Sequence, residues 1–270
     1  MIGNGRGTRA RNEKGTTLPS RTKLASVALS AAAALTVACS AGCSAVSPSY
    51  APTGLEKQVS NGERVSAATR ARASQHNAGA AGAAGAAVTP APADPAAIPR
   101  KIVGEQVTAI GDSVMAASAM ALAKVLPGIY IDAVPSRQMP AGLAVVRHLA
   151  RTGRLRQVVV MGLGTNYIVT TRQLNQLLQI IGPNRKLVLV NTYVPDEWSK
   201  EVNATDASFV RRHPGAVLAD WYDTIKNRMY LLWPDHVHPE MPGTSVYAGL
   251  INRAVQATRA VTGATSSRGL

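Results

Sequence analysis

Three short stretches of the chain carry side chains that could run acyl chemistry together. Ala109-Ile110-Gly111-Asp112-Ser113 stands near the start of the apolar-rich half, Gly162-Leu163-Gly164-Thr165-Asn166 in its middle, and Asp235-His236-Val237-His238 near its end. A serine hydroxyl is a weak nucleophile until a base takes its proton. A histidine is that base, and an aspartate on its other ring nitrogen fixes the tautomer and stabilises the imidazolium. A spacing of three lets Asp235 and His238 come from one loop, restricted by Pro234 and Pro239. Spacing alone leaves His236 open as the base, and two histidines with an aspartate also fit a metal site. No further ligand cluster is evident, so no metal and no cofactor is expected. Ser113 taken alone reads equally well as a helix N-cap. Asn166 reads as an oxyanion donor or as a turn residue, and Gly164 as the glycine that lets the backbone approach closely. Ser136 offers a backbone N–H after the second strand, and Arg137 either steers an anionic substrate or forms a salt bridge.

The elements that must position these groups alternate. Val103–Ile110 predicts a strand running into the Gly-Asp-Ser turn, and Ser113–Leu126 a helix whose N-terminus opens at the hydroxyl. Further strands are expected at Ile129–Val134, Gln157–Gly162, Lys186–Asn191 and Ala216–Asp220. Helices are expected at Ala141–Thr152, Thr171–Ile181, Glu197–Arg212 and Gly243–Thr258. The continuous apolar run Val158-Val159-Val160-Met161 fits a strand buried on both faces. Such alternation predicts an α/β fold of three layers, α/β/α, around a five-stranded parallel, flavodoxin-like sheet. In such sheets the site lies at the carboxyl ends of the strands, where Asp112-Ser113, Ser136-Arg137, Thr165-Asn166 and Asn191-Thr192 all fall.

The N-terminal hundred residues differ in kind. Residues 1–23 carry six Lys and Arg against Glu13, and Leu24–Ala38 is uncharged and rich in Ala, Leu and Val. A basic segment followed by about 15 apolar residues reads as a signal peptide or anchor, shorter than the roughly 20 residues that span a bilayer. Cys39 and Cys43, the only cysteines, each follow small residues in a lipobox-like setting and are the lipidation candidates. Residues 1–43 are therefore expected to direct export, as a signal peptide or a lipoprotein signal or anchor. Residues 44–101, with their Ala/Gly-rich and Pro-rich runs, are expected to be a disordered linker spanning about 40 Å. Residues 102–262 are expected to be the one folded domain and 263–270 a flexible tail. The net charge is +14. The first 101 residues hold 12 Lys and Arg against 4 acids, so more than half of the excess lies outside the expected domain. The domain has no basic cluster interleaved with aromatics, so no nucleic acid partner is expected, and an anionic envelope suits the basic tail. No phosphate-binding Gly-x-x-x-x-Gly-Lys-Ser/Thr run occurs.

Taken in chain order, Ile110-Gly111-Asp112-Ser113-Val114-Met115, Ile131-Asp132-Ala133, Ser136-Arg137-Gln138, Gly162-Leu163-Gly164-Thr165-Asn166, Val190-Asn191-Thr192, Asp220-Trp221-Tyr222 and Asp235-x-x-His238-Pro239 resemble the SGNH (GDSL-type) hydrolase superfamily. They are closest to the extracytoplasmic SGNH domain of bacterial peptidoglycan O-acetyltransferases. The resemblance covers roughly residues 105–260. It implies that Ser113 is the nucleophile and that Asp235 and His238, rather than His236, complete the triad. It also implies that Asn166 and the backbone near Ser136 form the oxyanion hole. Ser136 stands where many members have a glycine, a change that keeps a backbone donor. The implied activity is that of an exported serine esterase or O-acyltransferase acting on acyl, most simply acetyl, esters of carbohydrate or cell-wall glycan. The fused transferases carry a multi-helix membrane domain that delivers the acyl group, and this chain has no segment of that kind. Either a separate membrane protein is the donor, or water is the acceptor. The competing class is a non-catalytic glycan- or partner-binding module on the same scaffold. The membrane is expected to be touched only through the N-terminal segment.

Overall fold

A computed structural model describes residues 53–80 and 101–260. The expected signal segment with Cys39 and Cys43, the Pro-rich run and the C-terminal tail lie outside the described residues. Five strands, β1 (Val107–Gly111), β2 (Tyr130–Ala133), β3 (Val158–Gly162), β4 (Lys186–Val190) and β5 (Ala216–Ala219), form one sheet in the order β2-β1-β3-β4-β5. Every pairing is parallel, with Ile110 beside Met161 and Asp132, and Val160 beside Val188. The expected three-layer α/β fold is present.

Alternation along the strands divides the core in two. Ala109, Val158, Val160, Val188 and Val190 pack on one face with Met115, Leu122, Tyr247 and Ile251. Ile110, Val159, Met161, Leu187 and Leu189 pack on the other with Leu143, Val146, Leu174, Leu177 and Phe209. The first face is covered by α2 (Ser113–Ala117), α3 (Ala119–Val125) and α8 (Met241–Ala257). The second is covered by α4 (Met139–Arg151), α5 (Thr171–Ile181) and α6 (Trp198–Arg212). A short α7 (Trp221–Ile225) follows β5.

Local chemistry sets the element ends. Thr170 caps α5, its hydroxyl accepting the Gln173 N–H at 3.3 Å while Gln173 Oε1 accepts the Thr170 N–H at 2.9 Å. Gly182, at φ +71°, ends that helix. The first strand is shorter than expected. Gly104–Gln106 form a 3-10 turn, because Gln106 Oε1 takes the Val103 N–H at 3.0 Å and draws the chain out of extension. The first helix breaks at Ser118, whose N–H turns back to Met115 O at 3.1 Å.

The linker expectation is corrected over residues 54–80. Gly54–Ala80 is a helix, α1, within the same compact unit as the α/β domain. Its small residues are its packing face. A side chain at Gly62 would bring a Cβ to 1.6 Å from Ala116 O, so α1 and α2 meet backbone to backbone. Val59 and Val65 pack against the core, and Ser66 is fully buried. The Thr69 hydroxyl accepts the Ile131 N–H of the edge strand at 3.0 Å. Among the described residues no helix is long and apolar enough to cross a membrane.

Candidate active site

β1 delivers the chain to a sharp turn at Gly111, where a Cβ would come to 2.4 Å from that of Met115. Asp112 then caps α2, its Oδ1 accepting the Val114 N–H at 3.0 Å. Ser113 is the first residue of the helix and is 9% exposed. Its hydroxyl lies at the mouth of the sheet, 2.8 Å from His238 Nε2.

His238 comes from a loop between a 3-10 turn at Met229–Leu231 and α8. Leu232 and Pro239 form an antiparallel bridge that closes this loop, and the Trp233 N–H donates to His238 O at 2.8 Å. Inside the loop Asp235 does two jobs. Its Oδ1 accepts the N–H groups of Val237 and His238 at 2.9 and 3.0 Å, which shapes the turn. Its Oδ2 lies 2.7 Å from His238 Nδ1. Burial works to raise the Asp235 carboxyl. The two N–H donors and the His238 ring outweigh that and hold it below its ordinary value, so it stays ionised opposite Nδ1. A proton on Nδ1 leaves Nε2 free to accept the Ser113 proton. His236 is exposed, with its backbone at φ +56°, and takes no part in this relay. Among the described residues no group of three or more His, Cys, Asp and Glu is placed to hold a metal ion.

Ser136 and Asn166 face Ser113 across a cleft of about 400 Å³, bounded also by Pro135 and His238. Ser136 is exposed and holds φ +59°, a backbone conformation uncommon for a residue with a Cβ. Asn166 Nδ2 is buried with no hydrogen-bond partner among the described residues. Leaving a buried amide donor unsatisfied costs about 1–3 kcal/mol. An unused donor on a residue that lines the same cleft as Ser113 is suited to a developing oxyanion.

Arg137 and Gly164 are tied into the scaffold around the site. Arg137 does not face the cleft. Its guanidinium holds Asp132 Oδ1 at 2.7 Å, donates to Gly111 O at 3.3 Å and also meets the Asp132 carbonyl. It therefore ties β2 to the end of β1 and takes up the salt bridge that was one of its two expected roles. Gly164 acts through its backbone. It sits at φ +131°, a Cβ there would press on Val202 at 2.7 Å, and its carbonyl accepts the Trp198 indole N–H at 3.1 Å. Asn191, which also follows a strand end, joins β4 to α7 by donating to Asp220 at 2.8 Å and accepting the Tyr222 N–H at 2.9 Å.

Asp112 is buried, and burial pushes its carboxyl up to about 6; the Val114 N–H, the Thr165 hydroxyl and the His238 ring draw it back only in part. Sequence reasoning missed one side of the site altogether. Leu55, Glu56, Val59, Ser60 and Glu63 of α1 line the same cleft. The signal that could have found them is the capping pair at its start, where Glu56 Oε2 accepts the Thr53 N–H at 2.7 Å and Thr53 Oγ1 accepts the Glu56 N–H at 3.2 Å.

No family model matches the chain. It is 33% identical over 156 residues to the peptidoglycan O-acetyltransferase OatA of Listeria monocytogenes, covering 58% of this chain and 25% of that one. The chain thus spans about a quarter of the length of the curated relatives it matches. Its structure resembles the C-terminal catalytic domain of OatA from Streptococcus pneumoniae, solved with a methylsulfonyl adduct. The TM-score is 0.54 at 22% identity, covering 58% of this chain and 96% of that one. The covered share is about the size of the α/β domain without α1. The fold is that of the OatA catalytic domain, and the resemblance to the peptidoglycan O-acetyltransferases lies in sequence as well as in fold.

Proposed function

We propose that this chain is an exported serine enzyme that forms an acyl-enzyme on Ser113 and passes the acyl group, acetyl in the simplest case, to water or to a hydroxyl of cell-wall glycan. The observation that carries the reading is the unbroken relay from Ser113 Oγ through His238 to Asp235, with contacts of 2.8 and 2.7 Å. In the first half-reaction Ser113 Oγ attacks the ester carbonyl and His238 Nε2 takes its proton. The oxyanion is held by Asn166 Nδ2 and the N–H of Ser136. The tetrahedral intermediate collapses, His238 returns the proton to the leaving alcohol oxygen, and the acyl group stays on Ser113. In the second half-reaction a water or sugar hydroxyl gives its proton to His238 and attacks the acyl carbonyl; the intermediate collapses, and His238 returns the proton to Ser113 Oγ as it leaves. Both outcomes use the same groups; the acceptor alone decides between ester hydrolysis and O-acyl transfer.

The sequence similarity to a peptidoglycan O-acetyltransferase supports glycan as the acceptor or ester-bearing partner. For net transfer, a separate membrane protein would supply the acyl group. Export by the N-terminal segment, with lipid on Cys39 or Cys43, would hold the enzyme at the envelope beside that substrate. The test is turnover of 4-nitrophenyl acetate by the purified full chain, with and without a glycan acceptor, together with labelling by a fluorophosphonate probe. Turnover and labelling that vanish in Ser113→Ala are expected. Undiminished turnover in that variant would overturn the serine mechanism, and acetyl transfer exceeding hydrolysis would assign the transferase.

A further inference from the structure

The helix that precedes the α/β domain is fixed against both halves of the catalytic relay. Gly62 lets α1 touch the backbone of α2, the helix that begins at Ser113. Gln58 reaches further. Its Nε2 donates to Pro239 O at 2.7 Å and to Ala117 O at 3.3 Å, and its Oε1 accepts the Trp233 indole N–H at 3.3 Å. One side chain thus joins the end of α2 to both ends of the loop that carries Asp235 and His238. At the far end of α1, Arg154 donates to Ser74 Oγ at 2.8 Å, and Arg70 lies 3.5 Å from Asp132.

A helix so pinned presents a fixed face. Leu55, Val59 and Ser60, flanked by Glu56 and Glu63, make up half of the residues that bound the cleft over Ser113. A volume of about 400 Å³ exceeds what an acetyl group fills and is in the range of small-molecule sites. Among the described residues the lining holds two carboxylates, hydroxyls and apolar surface, and no Lys or Arg. Glu56 is held toward the helix start by the Thr53 N–H.

We propose that α1 is the specificity wall of the active-site cleft: it seats the sugar that carries or receives the acyl group, and Glu56 and Glu63 select an uncharged glycan over an anionic one. This rests on Ser113 being the nucleophile, and the experiment separates the two. Three esters are compared with the full chain: 4-nitrophenyl acetate, an acetylated xylo-oligosaccharide (neutral) and an acetylated oligogalacturonide (anionic). Absence of turnover on 4-nitrophenyl acetate overturns the nucleophile reading and the wall with it. Given that turnover, Ser60→Trp is expected to lower the ratio of kcat/KM for the neutral oligosaccharide to that for the aryl acetate by about tenfold, through KM. The Glu56→Gln/Glu63→Gln double variant, a mild surface change, is expected to raise the anionic-to-neutral oligosaccharide ratio by about tenfold, as expected for removing two like charges at the edge of a solvated cleft. Arg64→Ala, on the exposed side of α1, is expected to move neither ratio. Aryl acetate turnover with both ratios unmoved in the Ser60 and Glu variants would overturn the wall and leave the nucleophile standing.

Discussion

Replacing Asp112 by Asn separates what a buried carboxyl does to folding from what it does to chemistry. The residue is 1% exposed, and its Oδ2 has no well-formed hydrogen bond among the described residues. Burial lifts the carboxyl from the ordinary 3.8 to about 6. A raised carboxyl means that the folded chain keeps a proton that the unfolded chain has already lost. Stability therefore falls as pH rises through the window from 3.8 to about 6 and stays low above it. Each unit is worth about 1.4 kcal/mol, so the penalty approaches about 3 kcal/mol at neutral pH and is small at pH 4. Asn cannot ionise, yet its Oδ1 can still cap the Val114 N–H. Asp112→Asn is thus expected to be more stable than the parent by up to about 3 kcal/mol at pH 7.5 and nearly equal to it at pH 4, read by urea unfolding at both pH values. Activity should move the other way. The ionised Asp112 carboxylate and the His238 ring attract each other, so kcat on 4-nitrophenyl acetate is expected to fall when Asn removes that charge. A stability difference equal at the two pH values, or a variant less stable at pH 7.5, would refute the argument.

Asp235→Asn is expected to lower kcat by about 10³–10⁴-fold, since it removes the group that holds the His238 tautomer. The same carboxyl is held below its ordinary value in the fold, so its contribution to stability is present above the ordinary carboxylate range and lost as pH falls through it. The destabilisation caused by Asp235→Asn should accordingly be larger at pH 7 than at pH 3 in denaturant titrations. Asn166→Ala removes a buried donor with no other partner among the described residues and should cost about 10²–10³ in kcat with little change in KM; a change confined to KM would place Asn166 outside the oxyanion hole. His236→Ala should leave kcat/KM within about twofold, because exposed side chains away from a site contribute little, and a loss as large as that of His238→Ala would move the base to His236. Gly62→Val should force α1 off α2 and lower stability by about 1–3 kcal/mol or more, seen as a lower melting temperature and as new proteolytic cleavage between residues 53 and 80.

Much of the α/β domain is legible because its signals are local. Val158–Met161 and Leu187–Val190 are unbroken apolar runs, and only strands buried on both faces need them. The capping box at Thr170 and the glycine at 182 mark both ends of α5 in the chain itself. The strand-end residues are legible for a topological reason: in a parallel sheet the residues after strand ends meet at one edge, which puts Ser113 and Asn166 there, whereas the choice of His238 over His236 came from the family resemblance and not from order. Arg137 shows where such reasoning stops. A cation after a strand end fits a substrate anion or a neighbouring carboxylate equally well. Asp132, five residues earlier and pointing to the same side, decides it at 2.7 Å. The 3-10 turn at Gly104–Gln106 was hidden likewise, since a side-chain amide folding back on Val103 leaves no periodic trace.

The helix α1 was not legible because composition was read as a measure of core-forming power. Ala, Gly and Ser bury little apolar area, and a segment rich in them is usually unable to offset its chain entropy. The same residues are what a helix needs when it must approach another backbone closely. Gly62, Ser66, Thr69 and Ala73 recur at spacings of four, three and four, one face of a helix. That face meets Ala116 O and the edge strand. Helix formation was therefore encoded locally, in the Thr53–Glu56 cap and this spacing, whereas docking was not. The bonds from Gln58 bridge 59, 175 and 181 positions in the chain, and no local pattern announces contacts of that range. The consequence bears on where the functional unit begins. A boundary drawn at residue 102 by composition keeps Ser113, Asp235 and His238 but removes the side chain that ties their two elements together and half of the cleft wall. Among the described residues, the compact unit that holds the Ser113–His238–Asp235 relay includes α1.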